Sequence, residues 1–146
     1  MRIALLNGPN LNLLGRREPA LYGATTLTQI ETRLAEVAGE LGVTLDCAQH
    51  NGEGALVDAI QALDGHADGA IINAGAYSHT SLALRDAFAA VEVPYVEVHL
   101  TNIFAREPER RHSTLAADAV ALVCGFGAAG YELALRGLVS TLRARG

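Results

Sequence analysis

The chain has 146 residues, half of them hydrophobic, which is enough for a single domain over residues 1–146 with one respectable core. Its formal net charge is −5 and its isoelectric point is near 5.4. This argues against nucleic acid or an anionic membrane as partners, because proteins that bind them usually carry a basic surface. No apolar run approaches a membrane span or a signal peptide, so we expect a cytoplasmic protein.

The first half of the chain alternates short apolar runs with amphipathic ones. Residues 2–7 predict a buried strand, and residues 8–25 predict a long polar loop. Thr26 and Gln29 form a capping-box pattern that begins a helix with one apolar stripe, and Gly42 is placed to end it. Residues 43–49 predict a second strand, residues 53–63 a helix, and the wholly apolar residues 69–73 a strand buried on both faces.

The second half continues the same alternation. A loop rich in glycine and hydroxyl groups, residues 74–81, leads into a helix that runs to about residue 90. Pro94 precedes a strand over residues 95–98, and a strand over residues 119–124 leads into a last helix with Tyr131 and Leu135 on its inward stripe. Repeated β–α units of this kind predict an α/β fold: a doubly wound, flavodoxin-like, five-stranded parallel sheet.

The two cysteines, Cys47 and Cys124, each stand alone among apolar or small residues. Neither belongs to a CxxC motif or to a Cys–His pair with the spacing of a metal site. We therefore expect both to be buried free thiols in a reducing compartment, rather than partners in a disulfide.

Polar and titratable residues are concentrated where ligands of a doubly wound sheet bind, beyond the carboxyl ends of the strands. The loops predicted there cover residues 7–23, 73–81 and 97–112. They hold three of the five histidines and a set of five arginines: His79, His99 and His112, with Arg16, Arg17, Arg106, Arg110 and Arg111. A site for an anionic ligand is therefore predicted at this edge of the sheet.

Tyr22 is a candidate base in the first of these loops. A free phenol is a poor base at neutral pH, but guanidinium groups nearby favour the phenolate by direct charge attraction. Arg16 and Arg17 precede Tyr22 within six residues. The alternative is a tyrosine that packs its ring on the loop and leaves its hydroxyl in water.

His99 is a candidate acid, because it lies two residues after Glu97 and positions i and i+2 of a strand share one face. A carboxylate there could orient the imidazole or hold it protonated, as a general acid requires. The alternatives are a histidine satisfied by a backbone carbonyl, or a metal site of Glu97, His99 and His79, for which no ligand pair has a usual spacing.

The loop of residues 74–81 allows more than one interpretation. Ser78 and Ser81 beside His79 permit a serine hydrolase, but the G-x-S-x-G motif is absent, and the loop instead offers backbone N–H groups to a carboxylate. A hydroxyl of this loop, from Thr80 or Ser81, is also placed to cap the third helix.

The arginines of residues 106–111 match the oxygens of carboxylates and alcohols, or they form a solvated charged loop, which the interleaved Glu107 and Glu109 favour. The early glycines, Gly8 and Gly15, do not form a nucleotide-binding fingerprint.

Taken together, these residues resemble the type II 3-dehydroquinate dehydratases along nearly the whole chain. The motifs that carry the resemblance are residues 7–15, 17–19, 22–23, 73–75, 79–81, 85–86, 97–99, 106–107 and 110–113. The resemblance implies a flavodoxin-like fold, no cofactor and no metal. It implies the anti elimination of water from 3-dehydroquinate through an enolate, giving 3-dehydroshikimate in the shikimate pathway.

The resemblance also implies a role for each matching residue. Tyr22 takes the proton on C2, Arg17 holds it as phenolate, and His99, oriented by Glu97, protonates the departing hydroxyl on C1. Asn10 helps to hold a water against the enolate oxygen. The positions that match substrate-binding residues are Asn73, His79, Leu100, Thr101 and Arg110, together with Asp86, which reaches a neighbouring subunit's site in a dodecamer built from trimers.

Two departures from the family pattern are visible. Thr101 replaces a common serine and keeps the hydroxyl, whereas Ala76 replaces a frequent glycine, so its β-carbon could narrow the loop and affect affinity. The competing hypothesis is a flavodoxin-like binding module without catalysis, and the joint presence of Tyr22, Arg17 and His99 favours the enzyme. Residues 16–24 are polar and bounded by glycine, so we expect them to close as a lid.

Overall fold

Five strands form one parallel sheet in the computed structural model, which describes residues 1–146. They are β1 (Arg2–Asn7), β2 (Thr44–Gln49), β3 (Gly69–Asn73), β4 (Tyr95–His99) and β5 (Ala121–Cys124). Their order in the sheet is β2-β1-β3-β4-β5, and every neighbouring pair is parallel. This is the flavodoxin-like order, so the predicted fold is confirmed.

Helices cover both faces of the sheet. The five α-helices are α1 (Pro19–Tyr22), α2 (Leu27–Leu41), α3 (Glu53–Gln61), α4 (Leu82–Val91) and α5 (Ala129–Arg145). Helices α2 and α5 pack on one face and α3 and α4 on the other, so the protein has two apolar cores, of 18 and 14 buried residues. None of these helices has both the length and the hydropathy that crossing a bilayer requires.

The strands supply both cores because successive side chains point to opposite faces. In β1, Ile3 and Leu5 belong to the core under α2 and α5, whereas Ala4 and Leu6 belong to the core under α3 and α4. Every residue of β3 is buried, as predicted, including the polar Asn73 at its end. The strands are therefore occupied by core packing on both faces, and the polar site residues lie at or beyond their ends.

The ends of α2 form as predicted. The Thr26 hydroxyl accepts a hydrogen bond from the Gln29 N–H at 3.2 Å, and the Gln29 side chain accepts one from the Thr26 N–H at 2.9 Å. Gly42 ends the helix with a φ of 70°, a conformation that favours glycine. The capping box thus fixes where the polar loop of residues 8–25 stops.

The loops contain more structure than the sequence predicts. Residues 11–13 and 75–79 form 3-10 helices, and Pro19 begins the one-turn helix α1, where its missing N–H costs no hydrogen bond. These segments are too short to show an apolar period. The strand bounds differ only slightly, since β4 extends to His99 and β5 begins at Ala121.

The cysteines are free, but the prediction that both are buried is wrong. Cys47 is exposed and Cys124 is half-buried, because they lie on β2 and β5, the two edge strands, which have no neighbour on their outer side. Local desolvation nevertheless raises the pKa of the Cys47 thiol to about 11, and the carboxylates of Glu31 and Asp46 add to this effect. Cys47 is therefore a thiol rather than a thiolate at neutral pH.

Candidate active site

A cavity opens beyond the carboxyl ends of the central strands. It is lined by eight of the predicted site residues: Arg17, Tyr22, Asn73, His79, His99, Leu100, Thr101 and Arg110. Leu11, Gly75, Ala76, Ile103 and Arg106 complete its wall. The three loops that the sequence analysis singled out therefore do converge on one site.

Two loops make close backbone contact next to Asn73 and Gly75, which line the cavity. The Gly8 N–H donates to the Asn73 carbonyl at 2.7 Å, and a β-carbon at residue 8 would lie 2.6 Å from the Ala74 carbonyl oxygen. Only glycine permits that approach. Gly75 follows with a φ of 58°, which turns the chain after β3 toward the cavity.

Two arginines surround the hydroxyl of Tyr22. Nη2 of Arg17 and both terminal nitrogens of Arg106 lie 3.4 Å from the phenolic oxygen. The two guanidinium carbons also lie near the ring, at 4.6 Å from its centroid for Arg17 and 5.7 Å for Arg106. Positive charge at the oxygen stabilises a phenolate, as the sequence analysis expected from neighbouring arginines.

Arg106 is the site residue that the predicted set omits. The sequence placed it in a charged loop and in a family motif without a role of its own, whereas the structure places it at Tyr22. Its Nη1 donates to the Thr101 hydroxyl at 3.2 Å, and Arg111 donates to its backbone carbonyl at 2.5 Å. The clustering of arginines was the available signal, but nothing in it separates the inward Arg106 from the exposed Arg111.

Glu97 and His99 form a buried pair on β4. Nε2 of His99 lies 2.5 Å from a carboxylate oxygen of Glu97, and only 6% of His99 and none of Glu97 is exposed. The shared face predicted for positions i and i+2 of this strand is confirmed. Nδ1 of His99 makes no hydrogen bond within the chain, so one ring nitrogen is held and the other is available at the cavity.

Two histidines join the loops on either side of His99. Nδ1 of His79 lies 2.7 Å from the His112 carbonyl, and Nε2 of His112 lies 2.8 Å from the His79 carbonyl. Carbonyls only accept, so each of these ring nitrogens carries its proton. Partial burial lowers the pKa of His79, and nearby positive groups, including Arg110, lower it further. Neutral His79 therefore offers Nε2 as an acceptor.

Asn73 is held by a buried network that sequence reasoning missed. Its Nδ2 donates to the Tyr131 hydroxyl at 2.9 Å, which donates to Asn7 Oδ1 at 2.6 Å, while its Oδ1 accepts from the Gly75 N–H at 3.1 Å. Burial raises the pKa of Tyr131, so its hydroxyl keeps the proton that it donates. Tyr131 was predicted only as a core residue, because its partners lie far away in sequence.

Three predicted site residues do not line the cavity. Glu97 lies behind His99 and contacts its Nε2. Asn10 is exposed in a left-handed conformation with a φ of 69°, and its backbone N–H donates to Asn51 Oδ1 at 3.0 Å. Asp86 is exposed on α4, away from the site of its own chain.

The serine hydrolase hypothesis finds no support in the geometry. Ser81 caps α4 by accepting from the Leu84 N–H at 3.1 Å, which confirms the predicted cap. Ser78 is fully buried and its hydroxyl has no partner. Neither hydroxyl contacts a histidine, so no activated nucleophile is formed.

The cavity and the sheet define a class of protein: a flavodoxin-like α/β enzyme with a tyrosine–arginine group and a histidine–glutamate pair on one cavity. The family model described as Dehydroquinase class II matches residues 1–139. This chain belongs to that family.

Similar proteins agree with the family model. Over 142 residues the chain is 61% identical to the 3-dehydroquinate dehydratase of Gemmatimonas aurantiaca, covering 97% of this chain and 93% of the relative. It is 59% identical to that of Synechococcus sp. strain CC9605, covering 98% of both chains. The crystal structure of type II dehydroquinase from Propionibacterium acnes superposes with a TM-score of 0.91, at 40% identity and over 95% of this chain and 96% of that one.

Proposed function

We propose that this protein removes water from 3-dehydroquinate to give 3-dehydroshikimate. The observation that carries the proposal is that one cavity holds Tyr22 between two guanidinium groups and His99 against the carboxylate of Glu97. The first group suits a base and the second an acid, as elimination from a β-hydroxy ketone requires. The family and the names of the similar proteins support the same reaction.

The base step begins at C2, whose proton is acidic because it lies beside the C3 ketone. Tyr22, as phenolate, takes this proton, and the electron pair moves onto the ketone oxygen to form an enolate. Arg17 and Arg106 stabilise the phenolate before the transfer and lie close enough to remain near the developing charge. We assign Asn10 to holding a water against the enolate oxygen.

The acid step completes the elimination. The enolate re-forms the ketone and the C1–oxygen bond breaks, while His99 delivers a proton so that the hydroxyl leaves as water. Glu97 orients the imidazole through Nε2, which leaves Nδ1 for the leaving group. One proton enters the base and one leaves the acid, so the two groups must exchange a proton with solvent between turnovers.

The remaining residues bind the substrate's carboxylate and ring hydroxyls. We assign this role to Asn73, His79 and Arg110, with the backbone of Leu100 and Thr101. Asn73 Nδ2 has a second hydrogen with no partner within the chain, and Nε2 of His79 also has none. Each can therefore form a hydrogen bond with a substrate oxygen. Arg110 supplies positive charge, which a protein of net charge −5 must place locally.

We further propose that the protein is cytoplasmic and assembles as a dodecamer of trimers. Asp86 would then contribute to the site of a neighbouring subunit. Its exposure on α4 leaves it free to do so. Sedimentation velocity measures the assembly of the wild type and of Asp86→Ala, and the enone assay measures their activity. If Asp86 acts only at the neighbouring site, Asp86→Ala should lose activity and keep the assembly.

Residues 16–24 act as a lid in this proposal. The one-turn helix α1 has no buried residue, and Tyr22 and Arg17 are only half-buried. Protease cleavage after Arg16 or Arg17 should slow when 3-dehydroquinate is present. Equal cleavage rates with and without the substrate would remove the lid from the mechanism.

The test of the function is the ultraviolet absorption of the conjugated enone that forms from 3-dehydroquinate. The wild type should produce it, and Tyr22→Phe should lower kcat by about 10³-fold or more, within the range of acid–base catalysis. Tyr77→Phe is the matched control, because its hydroxyl donates to the Asn51 carbonyl outside the cavity at 2.8 Å. A folded wild type that forms no enone would instead favour a binding module without catalysis.

A further inference from the structure

We infer that Ser113 is a positioning residue for the general acid. Its hydroxyl holds the carboxylate of Glu97, and that carboxylate in turn orients His99. The inference rests on the proposed function, because an oriented His99 matters to turnover only if His99 delivers a proton. Ser113 is half-buried and does not line the cavity.

All the hydrogen-bonding capacity of the Ser113 hydroxyl is assigned. A serine hydroxyl has one proton and two lone pairs. The backbone N–H groups of Leu115 and Ala116 donate to Oγ at 3.0 and 3.1 Å, so the lone pairs are occupied. The proton is therefore directed at Glu97, whose carboxylate oxygens lie at 2.6 and 2.8 Å.

Glu97 depends on this proton because it is completely buried. Oε2 of Glu97 is shared between His99 and Ser113, whereas Oε1 has Ser113 as its one protein donor. Without the hydroxyl, a buried oxygen of the carboxylate would have no partner, which is costly for a charged group. The carboxylate would then turn, and the imidazole plane of His99 would turn with it.

Neighbouring residues hold Ser113 in place on both sides. His112 donates to the His79 carbonyl, and the Thr114 N–H donates to the Ser78 carbonyl at 2.8 Å. The Thr114 hydroxyl donates to the Ser81 carbonyl at 3.0 Å. The segment is thus tied to the connection between β3 and α4, so the hydroxyl reaches Glu97 from a fixed point.

The experiment compares Ser113→Ala and Ser113→Thr with the wild type in the enone assay. Ser113→Ala removes the donor and should lower kcat by about tenfold or more with little change in KM, the size expected for a hydrogen bond to a charged group. Ser113→Thr keeps the hydroxyl and should recover most of the loss. Ser78→Ala is the control, since it removes a buried serine hydroxyl that has no partner.

A second measurement separates positioning from a structural role in the turn over residues 113–116. In a Glu97→Gln background, Ser113→Ala should change kcat little, because its effect passes through the carboxylate. An equal fold-loss in both backgrounds, or wild-type kcat in Ser113→Ala despite a lower Tm, would overturn the inference.

A further variant covers the case in which Ser113→Ala does not fold. Ser113→Cys keeps the number of side-chain heavy atoms but offers only a weak donor, so a wild-type kcat in that variant would also overturn the inference. A wild type that forms no enone would overturn the proposed function and this inference together, whereas an active wild type with unaffected Ser113 variants would overturn this inference alone.

Discussion

The proposed acid side of the cavity, formed by Glu97 and His99, and the proposed base side, formed by Tyr22 with Arg17 and Arg106, are built differently. Glu97 and His99 lie on the interior strand β4, are almost wholly buried and interact at 2.5 Å. Tyr22 lies on a four-residue helix with no buried residue, and its hydroxyl meets two arginines at 3.4 Å. Typical hydrogen bonds to oxygen are about 2.9 Å, so the base side is the looser of the two.

This difference suits a reaction that needs both precision and access. A general acid gains from a fixed orientation, which a buried strand and its hydrogen bonds provide. A base on a surface loop can move away to admit the substrate and close again to exclude water. Charge attraction tolerates that motion, because it varies slowly with distance compared with a directional hydrogen bond.

Besides the loss expected for Tyr22→Phe, the largest effect should come from removing His99 on the acid side. His99→Ala removes the proposed acid and should lower kcat by about 10³-fold, within the range of acid–base catalysis, while the chain remains folded. His66→Ala is the matched control, because its ring contacts only the Asp64 carbonyl far from the cavity. Near-normal kcat in His99→Ala would mean that the buried pair on β4 is structural.

A smaller effect is expected on the base side, where Arg17 and Arg106 both contact the Tyr22 hydroxyl. Arg106→Met and Arg17→Met should each lower kcat by about 10- to 100-fold, because each removes a positive charge beside the Tyr22 hydroxyl. Arg16→Met, exposed in the same loop, should match the wild type. Wild-type kcat in both variants would show that the arginines do not act through Tyr22.

The smallest effect concerns the stability of the fold at Tyr131, whose hydroxyl holds Asn73 of the cavity wall. Tyr131→Phe leaves Asn7 Oδ1 and Asn73 Nδ2 without their partner and should lower the free energy of unfolding by about 1–3 kcal/mol. Urea unfolding measures this change, with Tyr77→Phe as a control whose hydroxyl meets a more exposed carbonyl. Equal stability losses in the two variants would remove the distinction between buried and exposed hydroxyl partners.

The sequence predicted the features that depend on local pattern. Short apolar runs predicted the strands and the 3.6-residue apolar period predicted the long helices, and the Glu97–His99 spacing predicted a shared face that the structure confirms. Helix α1 escaped prediction because four residues with no core face carry no period. The exposure of Cys47 escaped prediction because burial was inferred from its apolar and small neighbours in sequence, whereas β2 lies at the edge of the sheet.

The long-range contacts could not be predicted in the same way. The proximity of Arg106 to Tyr22 joins residues 84 positions apart, and that of Tyr131 to Asn7 joins residues 124 positions apart. The types of these side chains indicated a possible role, but their partners follow only from the folded sheet. Family resemblance supplied roles for Arg17 and Tyr22, and the structure added Arg106 to them.

The buried contact of Tyr131 with Asn7 and Asn73 has a consequence for how the protein is made. Helix α5 is the last element of the chain, yet the hydroxyl of its Tyr131 is hydrogen-bonded to Asn7 at the end of β1 and to Asn73 at the end of β3. During translation, Asn73 emerges from the ribosome long before the tyrosine that holds its carboxamide. A nascent chain that has not yet released residue 131 therefore has no finished pocket, and prematurely terminated products lack one permanently.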